Sequence, residues 1–335
     1  MNTNKNVQYK PYFGDSPKVA EVKQVIQLAA SAQCAVLLLG ESGTGKGRVA
    51  RWIHENSSRR ESAFVDVSCP GLKGGLLKSE LFGHVRGSFT GAICDRSGLI
   101  EEADGGTLFL DEIGDMDIDV QCQLLKAIEE KRFRRVGEST ERSSDFRLIC
   151  ATNRDLYEAI DRGTFREDLF FRINTLAVDL PALRSRKDDI AGLTNHMLEE
   201  MDYDKFPVSK DIIKVLKQYK WRGNIRELRN TLERALILAQ GQALTLKHFA
   251  DIVAIVNAYN ALGENGHTEV AEPRKAVWNM DTLEEAHIRR ALMHFRGDKM
   301  KTSTELGISL SCLYRKLGKM GLQRRNKDME FVEKC

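Results

Sequence analysis

The sequence predicts an α/β domain in which helices sandwich a parallel sheet, followed by an all-α domain and a separate helical C-terminal region. Three observations lead to this prediction. Short apolar runs alternate with helical stretches up to about residue 180, strand signals are absent from 184–256, and residues 260–279 gain Gly, Pro and polar residues as their periodicity fades. The predicted strands span residues 34–39, 63–67, 107–110, 146–151 and 176–180.

The boundaries follow from local signals taken in chain order. Ser16 and Pro17 are typical of a helix start, so the first helix is expected to run from Pro17 to about Ala32. The run CAVLLL that follows is continuously apolar, as in a strand buried on both faces. The predicted organisation is a short tail (1–9), the α/β domain (10–180), the helical domain (181–258), a linker (259–280), a C-terminal helical domain (281–323) and a basic tail (324–335).

The composition is that of an ordinary soluble protein, with 42% hydrophobic and 30% charged residues among 335. A net charge of +3 is too small to indicate a global nucleic-acid surface. No apolar run approaches the length of a membrane span, and the first residues lack a signal-peptide core. Seven irregularly spaced cysteines without a CxxC pair predict reduced thiols and a cytoplasmic location.

A phosphate-binding loop follows the first predicted strand, because GESGTGK fits the pattern G-x-x-x-x-G-K between a strand and a helix. Glycines let backbone N–H groups turn around phosphates, and Lys46 adds a positive charge. The next residue is usually Ser or Thr, whose hydroxyl reaches Mg²⁺, but here it is Gly47, which softens the first helical turn. The predicted nucleotide-binding residues are Gly40, Glu41, Ser42, Gly43, Thr44, Gly45, Lys46 and Gly47.

Two further apolar strands end in polar residues suited to phosphate chemistry. One ends in Asp111, expected to hold Mg²⁺ directly or through water, and Glu112, expected to polarise the attacking water. The other ends in Thr152 and Asn153, of which Asn153 is expected to sense the γ-phosphate or the water. The alternative for Asn153 is an ordinary helix cap.

The segment GSFTGA lies between the phosphate loop and the acidic strand end. Two glycines frame a Phe and a Thr, which predicts a flexible loop presenting an exposed aromatic side chain to a partner. An ordinary turn with a buried Phe is the alternative. The predicted partner-contacting residues are Gly87, Ser88, Phe89, Thr90, Gly91 and Ala92.

Residues 163–174 contain two arginines, Arg166 and Arg172, on a helix whose inner face would be Phe165, Leu169 and Ile173. Six residues place the arginines roughly 120° apart on a helix, so they would not serve the same spot. A salt-bridged surface helix is the alternative.

Residues 302–317 predict a helix, a tight turn at Gly307 and a second helix with Leu313 and Leu317 on its inner face. Basic residues on the second helix could reach DNA phosphates or bases, while a plain helical hairpin is the alternative. The predicted DNA-binding residues are Ser309, Ser311, Cys312, Arg315 and Lys316.

These motifs together resemble bacterial enhancer-binding proteins, the sigma-54-dependent AAA+ transcription activators, over roughly residues 10–323. GSFTGA resembles their GAFTGA loop, residues 163–174 their arginine-finger segment, and residues 221–230 their sensor II helix, with Asn224 as its N-cap. The resemblance implies an AAA+ P-loop fold with an all-α lid and a Fis-like helix-turn-helix.

The resemblance also implies the activity. ATP with Mg²⁺ would be hydrolysed in a ring, expected to be hexameric, to remodel sigma-54 RNA polymerase at a promoter, while the helix-turn-helix binds enhancer DNA. Arg172 would reach the neighbouring subunit's γ-phosphate with help from Arg166, Arg226 would contact the phosphates of its own subunit, and Tyr12 and Phe13 would line the adenine pocket or the core. The implied catalytic residues are Asp111, Glu112, Asn153, Arg166, Arg172 and Arg226.

Departures from the family pattern leave alternatives open. The family commonly has Glu where Gly47 stands, Ala at Ser88, and an Asn that restrains the catalytic Glu at Ser68. Only a short segment precedes the ATPase domain, as in the phage-shock and type III secretion (Hrp) activators, so control by a partner protein or by abundance is expected. The alternatives are a DNA-binding repressor and a subunit active only in a mixed ring with a paralogue.

Overall fold

The structure, a computed structural model, describes residues 12–71, 75–203 and 207–264, and residues 288, 291, 292, 295, 298–306, 308, 310, 313, 316 and 317. The predicted tails at 1–9 and 324–335, and the predicted linker from residue 265 onwards, lie outside the described residues. The chain forms two compact units, residues 1–264 and 265–335.

Five parallel strands form the central sheet, in the order β2 (Phe64–Ser68), β5 (Thr107–Asp111), β8 (Arg147–Thr152), β1 (Val36–Leu39) and β9 (Leu176–Asp179). Each lies within two residues of its predicted position, which confirms the α/β prediction. Parallel pairing brings the carboxyl ends of the strands to one edge, where the phosphate loop and the acidic strand end meet. The strands are β1 Val36–Leu39, β2 Phe64–Ser68, β3 Gly83–His84, β4 Arg96–Ser97, β5 Thr107–Asp111, β6 Arg132–Phe133, β7 Arg142–Ser143, β8 Arg147–Thr152 and β9 Leu176–Asp179.

Helices cover both faces of the sheet, and a helical lid follows β9 without any strand among its described residues. The α-helices are α1 Pro17–Ser31, α2 Lys46–Glu55, α3 Gly75–Phe82, α4 Leu99–Glu102, α5 Ile118–Glu130, α6 Leu156–Asp161, α7 Glu167–Ile173, α8 Asp189–Glu200, α9 Lys210–Gln218, α10 Asn224–Ala239, α11 Ala250–Glu264 and α12 Lys299–Glu305.

Each face of the sheet has its own apolar core, and the lid has a third. Helices α1 and α2 pack on one face around Ile26 and Ile53, whereas Leu81, Leu124 and Leu169 belong to the core of the other face. The lid core surrounds Trp221, which is fully buried and donates its indole N–H to the carbonyl of Leu216 at 2.7 Å. Burial with a satisfied N–H is the usual state of an interior tryptophan.

The start of α1 is as predicted, with Ser16 at the N-cap position, but the side chain of Ser16 has another partner. The helix begins at Pro17 as expected, but Ser16 makes no side-chain capping bond to it. Its hydroxyl instead donates to Asp189 of α8 at 2.7 Å, and the backbone N–H groups of Asp15 and Ser16 donate to the other oxygen of the same carboxylate. The residue therefore anchors the segment before α1 to the lid.

Helix α11 also differs from prediction, because it continues to Glu264 rather than ending at residue 258. The residues Ala261, Leu262 and Glu264 are good helix formers, and a single glycine among them costs only about 1 kcal/mol relative to alanine. The start of the predicted linker is therefore helical.

In the second unit, the side chain of Asp298 caps α12 by accepting hydrogen bonds from the backbone N–H groups of Met300 and Lys301. Leu313 and Leu317 are buried with Ile288 in a small apolar cluster, as predicted for the inner face of a helix. The predicted turn residue Gly307 lies outside the described residues. No helix in the described part of the chain is long and apolar enough to cross a membrane.

Candidate active site

The phosphate loop connects β1 to α2 at the carboxyl edge of the sheet. Gly43 and Gly45 have φ angles of +80° and +101°, which favour glycine. A Cβ on Gly43 would lie 2.3 Å from the carbonyl oxygen of Gly223 in the lid, and the backbone N–H of Ile225 donates to the Gly43 carbonyl at 2.9 Å. The tip of the loop is therefore in direct contact with the lid.

Lys46, the first residue of α2, points back into the loop. Its ammonium group donates to the carbonyl of Gly40 at 2.9 Å and lies 3.3 Å from Glu112 Oε1. The next residue, Gly47, has room for a side chain, since a Cβ there would lie 3.8 Å from the ring of Phe109. Packing therefore does not require glycine at position 47. The main effect of this glycine is to make the helix about 1 kcal/mol less stable than alanine would.

The two acidic residues lie beside Lys46. Burial, followed by the nearby charge of Glu112, raises the pKa of Asp111 above its usual value. Glu112 has a left-handed backbone with φ of +54°, a conformation that non-glycine residues adopt mainly where surrounding structure holds them. Its Oε2 accepts the backbone N–H of Asn153 at 2.8 Å, so both carboxylate oxygens have partners.

The structure shows which groups Glu112 and Asn153 contact at this edge of the sheet. Ser68 pairs with Asp111 in the sheet register, yet no hydrogen bond joins its side chain to Glu112 among the described residues. Lys46 and the Asn153 N–H hold Glu112 instead. Asn153 is not a helix cap either, because α6 starts later and its cap is Asp155, which accepts two backbone N–H bonds.

Asn224 was predicted as the N-cap of α10, and this is wrong. The cap position is Gly223, while Asn224 is fully buried with a φ of +53°. Its side chain accepts the backbone N–H of Leu183 at 2.8 Å and donates to the Ser42 carbonyl at 3.0 Å and to Glu41 Oε2 at 3.2 Å. The residue therefore joins the lid to the phosphate loop.

Two arginines from the lid also reach the phosphate loop. Arg226 donates to Ser42 Oγ at 3.0 Å, one residue from the loop tip. Arg184 binds both oxygens of Glu41, one of them at 2.6 Å, and this hydrogen-bonded ion pair lowers the pKa of Glu41 to about 2. The lid thus meets three consecutive loop residues through side chains and backbone.

Two adjoining pockets divide the site by polarity. The polar pocket is lined by Lys46, Asp111, Glu112 and Arg226, among others. The apolar pocket next to it is lined by Tyr12 and Phe13, which also pack against the lid core and the core of one sheet face, together with Thr44 and several aliphatic residues. Gly45, Arg48, Met197 and Ile225 line both pockets. An apolar slot beside a cationic, glycine-turned cradle fits a nucleotide with a base and a phosphate chain.

The two predicted arginines of the α7 region differ in their partners. Arg166 is not within the helix but at its N-cap position, where it binds the Asp168 carboxylate at 2.6 Å and the Cys122 thiol. Arg172 is exposed and has no carboxylate partner in the described part of the chain. The 120° estimate for a continuous helix therefore does not apply. The inner face is as predicted, with Phe165, Leu169 and Ile173 buried.

The GSFTGA segment forms a closed turn between β3 and β4. Gly87 N–H donates to the carbonyl of Ala92 at 2.9 Å, and the N–H of Ala92 donates to the carbonyl of Phe89 at 3.1 Å. Phe89 is 40% exposed and rests edge-on against His84, with ring centroids 5.1 Å apart. The predicted aromatic is therefore exposed, and the alternative of a buried Phe is wrong.

The neighbours of this loop explain its other residues. Thr90 is exposed, and Ile93, just beyond the hexapeptide, is 83% exposed. Ser88 packs against the loop between β6 and β7, where a Cβ on Gly137 would lie 2.5 Å from the Cβ of Ser88. Its hydroxyl is buried without a hydrogen-bond partner in the described part of the chain, so it adds nothing polar to the exposed surface.

The comparisons with known proteins agree across the chain. Residues 12–179 match the Sigma-54 interaction domain, residues 184–259 the AAA+ ATPase lid domain, and residues 280–320 the family "Bacterial regulatory protein, Fis family". The chain is 36% identical to the regulatory protein LuxO of Vibrio cholerae, over 98% of this chain and 73% of that one. It belongs to the sigma-54-dependent transcriptional regulators.

Other relatives support the same assignment. The alginate biosynthesis transcriptional regulatory protein AlgB of Pseudomonas aeruginosa is 40% identical over 92% of this chain and 67% of its own. The structure of NtrX from Brucella abortus in complex with ATP superposes with a TM-score of 0.67 at 30% identity, over 93% of this chain and 70% of that one. This sigma-54 regulator is therefore an AAA+ ATPase that binds ATP and carries a Fis-type DNA-binding domain.

Of the residues of this sigma-54 regulator predicted to contact DNA, the structure describes Lys316, which is half-buried. Ser309, Ser311, Cys312 and Arg315 lie outside the described residues. The predicted DNA surface therefore stays a prediction.

Sequence reasoning missed Arg184 and Asn224 as partners of the phosphate loop of this regulator. Both lie more than 140 residues from Glu41. Local spacing carries no signal for such pairs. In the sequence, Arg184 follows Leu183 at the start of the lid, and nothing distinguishes it there from an ordinary surface arginine.

Proposed function

We propose that this sigma-54 regulator assembles into a ring, expected to be hexameric, and uses ATP hydrolysis to remodel sigma-54 RNA polymerase at a promoter. The observation that carries the proposal is a hydrolytic site and an exposed aromatic loop on one α/β domain. Polymerase and promoter DNA are cytoplasmic in bacteria, so we expect the protein to act there.

The proposed reaction uses residues that already contact one another. Backbone N–H groups of the phosphate loop and Lys46 would bind the β- and γ-phosphates. Phosphate oxygens would compete with Glu112 for Lys46, which would free the Glu112 carboxylate to accept a proton from the attacking water. The water oxygen then bonds to the γ-phosphorus as the bond to the β,γ-bridging oxygen breaks, giving ADP and phosphate.

Asp111 would hold Mg²⁺, which neutralises phosphate charge when bound. Its position at the end of β5, half-buried beside Glu112 and the polar pocket, fits that role. In the described part of the chain, no group of three or more His, Cys, Asp or Glu side chains could hold a metal ion alone. Magnesium commonly binds through one or two carboxylates plus substrate phosphates, so this donor set is adequate.

Two arginines would act at different steps. Arg226 from the lid lines the polar pocket, so it would contact the phosphates of its own subunit. Arg172, exposed and without a carboxylate partner among described residues, is available to a neighbouring subunit's γ-phosphate. Arg166 is held by Asp168, which supports a role in shaping the subunit interface rather than as the finger itself.

The loop would supply the mechanical output. Phe89 contacts His84 edge-on and is 40% exposed, so it can exchange one partner for another. ATP binding would raise Phe89 and Thr90 onto sigma-54, and hydrolysis would withdraw them. Enhancer DNA, bound by the Fis-type domain, would hold the ring near its promoter.

The test is open-complex formation by the purified protein on a sigma-54 promoter with bound polymerase. ATP should yield stable open complexes, and a non-hydrolysable analogue should not. Normal ATP turnover without opening would overturn the proposal in favour of a repressor or another target. Absence of turnover that a paralogue restores would replace the homo-oligomer with a mixed ring.

A further inference from the structure

A carboxylate at the end of α8 joins the two halves of the nucleotide site. Glu200 Oε2 accepts Arg48 Nη2 of α2 at 3.0 Å and Arg229 Nη1 of α10 at 2.7 Å, and its side chain is only one-quarter exposed. We call the three residues the Glu200 bridge. Burial opposes ionisation, but the two arginines lower the pKa of Glu200 below its usual value, so it is charged at neutral pH.

The bridge joins the helices that carry Lys46 and Arg226, two of the cationic residues that line the polar pocket. Arg48 lies two residues after Lys46 on the α/β domain, and Arg229 lies three residues after Arg226 on the lid. Residues three apart on a helix share a face, and Arg48 and Arg229 both line the polar pocket. The contact is therefore at the rim of the site, separate from the attachment of the lid to loop residues 41–43.

We propose that Glu200 is a positioning residue that holds the lid on the α/β domain so that Arg226 faces the phosphates. The inference rests on the role proposed above for Arg226. Without the bridge, a smaller fraction of the free protein has its lid in the binding-competent position. The apparent affinity for ATP falls in proportion to the fraction of protein whose lid is in the binding-competent position. Saturating ATP still shifts all of the protein to that position by mass action.

The first variant is Glu200→Gln, which keeps the shape of the side chain but removes its charge. We expect KM for ATP to rise roughly tenfold, a usual size for coupling between two elements, while kcat changes less than about twofold. Binding of a fluorescent non-hydrolysable ATP analogue should weaken by the same factor. Glu200→Asp, which keeps the charge, should recover part of the affinity.

Glu233→Gln is the matched control. Glu233 also binds Arg229, at 3.1 Å, but both residues of this pair lie in α10, so the pair does not join the lid to the α/β domain. Its KM should remain close to that of the wild type. An equal rise in both variants would overturn the inference, because the effect would then come from the surroundings of Arg229 rather than from the link between domains.

A double-mutant cycle separates this inference from the proposed function. If Glu200 acts through Arg226, then Glu200→Gln should change KM little further in an Arg226→Ala background. Additive effects would overturn the inference while leaving the proposed role of Arg226 intact. Unchanged KM in Arg226→Ala alone would reject both. Arg48→Gln breaks the bridge from the other side and should raise KM at least as much as Glu200→Gln, because Arg48 also lines both nucleotide pockets. A KM for Arg48→Gln close to that of the wild type would overturn the inference.

Discussion

The nucleotide site and the GSFTGA loop lie on the same domain but are built in opposite ways. At the nucleotide site, charged side chains are paired, as in Lys46 with Glu112 and Arg184 with Glu41. At the loop, Phe89 and Ile93 face solvent and a few backbone hydrogen bonds close the turn. Catalysis benefits from groups already in place, whereas a surface that changes partners must be free to leave its resting contacts.

The largest effect is expected from Arg172, which we propose completes the nucleotide site of the neighbouring subunit. Arg172→Ala should lower kcat by about 10³-fold or more, since arginine fingers have such effects in other phosphoryl-transfer enzymes. Phosphate release from purified protein measures it. Mixing Arg172→Ala with Glu112→Gln subunits should restore activity, because each supplies what its neighbour lacks.

Arg162→Ala is the control for this experiment. Arg162 lies directly after α6 and forms an exposed ion pair with Glu158 of the same helix. Its removal should change the rate by no more than about twofold. If mixing gave no recovery, Arg172 would act within its own subunit or not at all.

Replacing Glu112, the proposed base, tests the nucleotide site within one subunit. Glu112→Gln should lower kcat by roughly 10²- to 10⁴-fold, because an amide cannot accept the proton of the attacking water. ATP binding should persist, since the amide oxygen can still accept the Asn153 N–H. Hydrolysis is measured together with equilibrium nucleotide binding. Glu102→Gln, on an exposed position of α4, should behave as the wild type, and near-normal turnover in Glu112→Gln would assign the base elsewhere.

The loop should respond in the opposite way. Phe89→Ala should reduce promoter opening about 30-fold, as expected for a central contact worth at least about 2 kcal/mol, while ATP turnover stays within about twofold. Open complexes and phosphate release are measured on the same preparation. Ile93→Ala removes a more exposed apolar side chain just outside the hexapeptide and should have a smaller effect on opening. Equal losses in the two variants would indicate general apolar adhesion.

The smallest effect is expected for the ion pair between Glu41 of the phosphate loop and Arg184 of the lid. The pKa of Glu41 is about 2 in the folded protein against an ordinary value of 4.5, so its ion pair stabilises fully above pH 4.5 and less as pH falls toward 2. The pair is nearly half exposed, which limits its contribution to about 1 kcal/mol or less. Denaturant unfolding of Glu41→Gln and wild type should differ at pH 7 and converge below pH 4.5.

Glu61→Gln serves as the reference, because Glu61 pairs with Arg60 at a more exposed site. Its unfolding midpoint should follow the wild type at every pH. A difference for Glu41→Gln that grows on acidification would contradict the assigned pKa.

Sequence reasoning succeeded where a signal is local. The continuous apolar runs located all five sheet strands within two residues, and the loop GESGTGK and the acidic strand end met at one edge as parallel pairing requires. It failed where a side chain could form its hydrogen bonds either with a residue nearby in sequence or with a distant one. Ser16 and Asn224 are both good capping residues by type, yet their partners are Asp189, 173 positions away, and loop residues more than 180 positions away.

The remaining gaps have the same origin. Serine at position 68 led us to expect weaker control of Glu112 from that strand, but the sequence did not indicate that Lys46 and the backbone N–H of Asn153 contact its carboxylate. Arg166 was placed on a helix that starts one residue later. Neither the partners of Glu112 nor the first residue of α7 can be deduced from spacing alone.

The close approach of Gly43 to Gly223 has a consequence for engineering. The lid of this protein is not an interchangeable module, because residues 41–43 and the start of α10 share a surface with no spare volume. A chimera that joins this ATPase domain to the lid of a relative at residue 180 keeps the phosphate loop but replaces its partners Arg184, Gly223 and Asn224. We expect such a chimera to hold its lid against the loop only if the new lid supplies the same contacts.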